Sequence, residues 1–145
     1  MKNKTFQKYL KIMALLKNDN ILPCWIFSAY TSLGCWKDER NRALKLLEGK
    51  SGHLGVHYKR RENPVNQCAL AALEKGVSTF AVQDGGQCFG SSLDSVLDSY
   101  QQYGESTSCN TEGTGGPMAN SVYKFGKSLW LLIFNSPIII PCKNR

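Results

Sequence analysis

Apolar residues at Val65, Cys68, Ala69, Ala72 and Leu73 recur at helical spacing and mark one buried face of a helix. Asn63 stands at the N-cap, Pro64 occupies the first helical position, where a missing N–H costs nothing, and Gly76 supplies the stop. The next segment, Val77 to Gln83, is β-branched and aromatic between glycines and reads as the best strand, with Gly85-Gly86 turning the chain. A second helix is expected over Ser91 to Tyr103: Leu93, Val96, Leu97 and Tyr100 share a face, Ser91 with Asp94 resembles a capping box, and Gly104 ends it. Leu33 to Trp36 reads as a short opening strand and Ser121 to Phe125 as a closing one. Ala43 to Leu47 is an apolar run closed by Glu48-Gly49, Lys50 to Asn63 is mostly loop, and Gly113 to Pro117 is a Gly-rich turn. The pattern predicts an α+β fold: one or two helices packed on a short, mostly antiparallel sheet. No internal repeat or low-complexity tract interrupts it.

Charge divides the chain in three. The formal net charge is +7, yet Gly34 to Lys124 holds ten Lys/Arg and ten Asp/Glu. Residues 1–33 carry +4 and residues 125–145 carry +3, so the basicity lies in the flanks. A nucleic-acid-binding domain concentrates positive charge on the folded unit, and a neutral centre argues against that partner. The expected organisation is a basic N-terminal segment over 1–33, a recognition domain over 34–125 and an apolar tail over 126–145. The first segment makes a poor signal peptide, because Lys17-Asn18-Asp19-Asn20 and then Pro23-Cys24 break its apolar stretches. The tail contains Asn135, Pro137 and Pro141 and falls short of the ~20 residues of a spanning helix, so no transmembrane span is expected.

Six cysteines are present, none in a C-x-x-C pair, so the common zinc spacings are missing. Cys35, Cys68, Cys88 and Cys109 fall within the neutral segment, where an even count suits a disulfide framework. The alternative is four buried thiols. Of the three possible pairings we favour Cys68–Cys88, which joins the helix to the end of the strand behind it. Cys35–Cys109 then closes the domain.

Sharper chemistry finds little support. Cys88 follows Gln83-Asp84-Gly85-Gly86-Gln87, but a cysteine nucleophile needs a histidine base, and His53 and His57 lie upstream in a polar loop. Those two histidines are four apart, yet Gly52 and Gly55 argue against a helix and no third metal ligand is evident. Gly113-Thr114-Gly115-Gly116 lacks the Gly-Lys-Ser/Thr ending of a P-loop. Lys59-Arg60-Arg61 reads as a solvated basic loop, with an acidic-glycan contact as the lesser reading. No catalysis, metal or cofactor is expected.

The motifs Gly34-Cys35-Trp36-Lys37-Asp38, Arg42-Ala43-Leu44, Leu47-Glu48-Gly49, Asn63-Pro64, Phe80-Ala81-Val82-Gln83, Gly85-Gly86-Gln87-Cys88 and Gly115-Gly116-Pro117, with Tyr58, Cys68, Cys109, Asn120 and Tyr123, carry a resemblance. Over about 90 residues the chain resembles a small four-cysteine module of secreted and cell-surface proteins of marine invertebrates. It is distantly similar to WSC-type domains, and PAN/apple modules share the helix-to-strand disulfide. The resemblance implies an extracellular or cell-surface, non-catalytic module that binds carbohydrate or protein.

Aromatic faces stack on sugar C–H surfaces, and amides and carboxylates bond hydroxyls. The candidate ligand-binding residues are therefore Asp84, Gln87, Trp36, Asp38, Tyr58 and Asn120, with Gln83, Tyr100 and Tyr103 also weighed. Asp84 and Gln87 flank the Gly-Gly turn and lead the set, because loops carry function. Trp36 has packing on the disulfide as its competing duty, and Tyr100 has the core. The first function reading is recognition of an extracellular glycan or protein. The alternative is a structural or adhesive unit of an extracellular matrix assembly.

Overall fold

The computed structural model describes residues 30–91 and 99–126. The chain divides into two compact units, residues 31–124 and the terminal residues 1–30 with 125–145. The first unit is α+β, with one helix and short 3-10 turns packed on a five-stranded antiparallel sheet.

The strands are β1 (Tyr30–Lys37), β2 (Lys45–Leu46), β3 (Thr79–Gln83), β4 (Gln87–Ser91) and β5 (Ala119–Phe125), in the order β1-β5-β3-β4-β2. The strand expected from Val77 starts two residues later, at Thr79. The hairpin β3–β4 pairs Val82 with Cys88 and Gln83 with Gln87, and β5 lies on the other side of β3 with Ala81 opposite Val122.

Helix α1 (Pro64–Glu74) lies where the apolar spacing puts it and packs on β3 and β4. Its start differs in mechanism from the expected cap. Asn63 adopts a left-handed backbone (φ 47°) with no side-chain cap bond, and only its carbonyl oxygen engages the helix, accepting from Gln67 N–H. Its end is a Schellman motif: Gly76 N–H donates to Leu73 O and Val77 N–H to Ala72 O, with Gly76 at φ +67°. Burial reaches beyond the expected stripe, since every residue from Cys68 to Leu73 is buried. The reason is a second cover: the 3-10 turn Gly52–Leu54, with Leu54 buried, packs on α1 as well.

Alternation along the strands sorts the core into two faces. Phe80, Val82 and Cys88 turn one way with Tyr123, whose ring stacks on Phe80 at 5.3 Å, and the Cys68–Cys88 disulfide joins this face to α1. On the other face Leu44, Ala81, Phe89 and Val122 form a cluster, with Leu33, Trp36 and Tyr100 packed against it. Cys35–Cys109 ties β1 to the segment before β5. Both disulfides join the pairs favoured from sequence. The helix expected over 91–103 falls largely on 92–98, which lie outside the described residues; Ser91 closes β4 and Ser99–Gln101 is a 3-10 turn. The tail 127–145 and residues 1–29 likewise lie outside the described residues.

Candidate recognition surface at the β3–β4 turn

The turn after β3 is built on Asp84-Gly85 rather than on Gly85-Gly86. Asp84 (φ +48°) and Gly85 (φ +82°) are its two central residues, and Gly86 N–H returns to Gln83 O at 3.0 Å. Two positive φ values in succession suit an Asp-Gly pair, and Gly86 follows as the third residue between the paired Gln83 and Gln87. Gly86 does a different job. It is buried against the 3-10 turn Tyr58–Arg60, and a Cβ there would collide with the Tyr58 carbonyl oxygen. From the far side Gly115 and Gly116 offer their carbonyls to Gly85 N–H and Asp84 N–H, at 3.0 and 3.1 Å. The Gly-rich turn thus serves backbone geometry, and the hairpin tip is clamped on both sides.

This clamp brings together Tyr58 and Asp84. Tyr58 donates its hydroxyl to Asp84 Oδ2 at 3.1 Å, and Lys59 Nζ meets Asp84 Oδ1 at 2.8 Å. The Lys59 hydrogen bond holds the Asp84 carboxyl below its usual range against the opposing effect of burial, and Tyr58 adds to it. The same bond raises Lys59. His57 is exposed and stacks on the Tyr58 ring (centroids 4.6 Å, planes 24° apart), while its Nδ1 accepts from Lys59 N–H and caps the turn. The result is a braced aromatic pair beside a charged pair at the molecular surface.

Asp38 and Asn120 lie elsewhere, inside the protein. Asp38 is 4 % and Asn120 0 % exposed, and Gln83, itself 2 % exposed, joins them. Gln83 Nε2 donates to Asp38 Oδ2 at 2.9 Å and to Asn120 Oδ1 at 3.2 Å. Asp38 also accepts from the Glu39 and Ala43 N–H groups and from Arg42 Nη1. Burial alone would raise the Asp38 carboxyl, but the Ala43 N–H, Arg42, Gln83 and the Glu39 N–H together hold it below its ordinary value. Asn120 Nδ2 is buried with no partner among the described residues.

The two remaining candidates are separate again. Trp36 is half-buried, donates its indole N–H to Leu33 O at 2.8 Å and meets Tyr100 edge-on at 5.3 Å. Its companion is therefore Tyr100. Gln87 is half-buried and pairs with Gln83 at the base of the hairpin.

Sequence reading missed Arg61 and Glu48. The basic triplet is not uniformly solvated: Arg61 is 7 % exposed. Its guanidinium makes a two-pronged pair with Glu48 at 2.9 and 2.8 Å and donates to the carbonyls of Gly86, Leu54 and Val56. A buried charge needs such partners, and they come from three separate segments. Nothing in the spacing of the triplet distinguishes Arg61 from Arg60. Among the described residues no group of three or more His, Cys, Asp or Glu is placed to hold a metal ion.

No protein-family model and no curated protein matches the chain.

Proposed function

We propose that this is a non-catalytic recognition module for extracellular glycans or proteins, and that its contact surface is the β3–β4 turn with Tyr58–Arg60. The observation that carries the reading is the stack of exposed His57 on half-buried Tyr58, fixed beside the Asp84–Lys59 pair. An aromatic face gives a large contact area at small entropic cost, and the flanking charges supply directional bonds to hydroxyls or amides. Gly86 and Arg61 hold the platform still, which limits the ordering needed on binding. Two disulfides fit a secreted chain, because such bonds persist in oxidising compartments. No helix among the described residues is long and apolar enough to cross a membrane. The kinship with WSC-type and PAN/apple-like modules belongs to the same proposal and rests on the motifs quoted above.

Screening the oxidised protein on immobilised glycans and on a panel of extracellular proteins tests this. Selective signals that fall about tenfold or more in Tyr58→Ala and Asp84→Ala, with melting temperatures near wild type, are expected. Selective binding that both variants leave untouched would remove the surface named here. Silence on both panels favours a structural or adhesive role.

A further inference from the structure

Among the described residues, Arg42 carries the buried cluster of Asp38, Gln83 and Asn120 to the surface. Its Nη1 is fully engaged: it donates to Asp38 Oδ2 at 2.9 Å and to Gln83 Oε1 at 3.0 Å, and lies 3.3 Å from Met118 Sδ. Its guanidinium carbon sits over the buried Phe89 ring, 5.3 Å from the centroid. The side chain nevertheless keeps 36 % of its exposure, and none of the described residues bonds Nε or Nη2. Beside it Met118 is exposed, holds an uncommon positive φ of 55°, and is pinned by Asp38 N–H donating to its carbonyl at 2.9 Å.

An arginine held by one terminal nitrogen presents a vacant side-on fork, Nε–H with Nη2–H, whose spacing matches the two oxygens of a carboxylate. Most exposed arginines must lose rotamer freedom to use that fork. Here Asp38, Gln83 and Phe89 have already immobilised it, so less is lost when a ligand docks. Asp38 and the exposed Glu39 offset part of the charge, and the exposed Arg40 and Lys45 on the same segment leave it net positive. Met118 supplies an apolar surface against which the C–H face of a sugar ring can rest.

We propose that Arg42 with Met118 forms a receptor for the carboxylate of a uronic-acid glycan. The inference rests on the glycan limb of the recognition reading and adds a ligand class and a second contact point to it.

The test is an NMR titration of the labelled, oxidised full chain with oligogalacturonate, oligoglucuronate and oligomannuronate, each beside its uncharged methyl ester. At least one acid should move the Arg42 Nε–H signal saturably while its ester does not. Arg42→Lys keeps a cation that can reach Asp38 and Gln83 but has no fork. It should retain the wild-type amide spectrum and bind the acid about tenfold or more weakly. Binding of acid and ester alike, binding that leaves the Arg42 signal still, or no binding by any of the six probes overturns the proposal. Selective binding of neutral glycans at Tyr58 and Asp84 with Arg42 unmoved overturns it too, and leaves the recognition reading standing.

Discussion

Gln83 bonds three side chains through one amide, and Asp38 is the member of that group whose charge depends on pH. Its folded carboxyl lies below the ordinary value, so the native state binds its proton less readily than the unfolded chain does. The stabilisation is therefore fully present above the unfolded value of about 3.9 and is lost as pH falls through the lower folded value. Asp84 is shifted the same way but sits in a surface pair, and contributes the smaller share. Urea midpoints of wild type should drop on acidification below about pH 4. Asp38→Asn should be less stable at neutral pH by roughly 1–3 kcal/mol and flatter across the acid range. A variant with the wild-type acid slope would show that Asp38 does not govern it.

At the level of elements, the long connection from β2 to α1 contains two short 3-10 turns and is anchored by a charge pair. Arg61 anchors it to Glu48, to Gly86 at the hairpin and to two of its own carbonyls. Glu48 in turn accepts from Cys88 N–H at 2.8 Å, so one carboxylate links the loop to β4. Removing it leaves a buried guanidinium unpaired. Glu48→Ala should cost about 3 kcal/mol or more in chemical denaturation. Hydrogen exchange should quicken over residues 52–61 before it does in β3. Uniform exchange changes throughout the domain would mean that the pair supports the whole fold and not this segment.

For the molecule as a whole, the two disulfides tie together parts that the sheet alone does not. Cys35 and Cys109 are 74 positions apart and Cys68 and Cys88 are 20 apart. By loop-closure entropy, cross-links of these spans stabilise by about 4 and about 3 kcal/mol. That is a large part of the 5–15 kcal/mol typical of a domain. Replacing each pair by alanines and measuring guanidinium unfolding should show losses of that order for both. A loss below about 1 kcal/mol for Cys35–Cys109 would mean that β1 is held by its strand pairing alone.

What could be read from the chain alone was local or covalent. The limits of α1 follow from Pro64, Gly76 and the apolar spacing between them, because helix ends are decided by a few neighbouring residues. The strand at Thr79–Gln83 follows from its β-branched and aromatic run. The cysteine pairing could be favoured because each pair links elements that the pattern already located. The interior polar group could not be read this way. Gln83 meets Asp38, Arg42 and Asn120 across separations of 45, 41 and 37 residues. A polar residue in sequence looks equally ready for solvent or for burial until a partner's position is known. The same holds for Arg61, whose burial depends on Glu48 and on carbonyls from two segments. Tertiary packing therefore decided which of the named polar residues remain at the surface. Tyr58 and Asp84 stay there because the close approach at Gly86 brings their two turns together, whereas Asp38 and Asn120 are enclosed around Gln83.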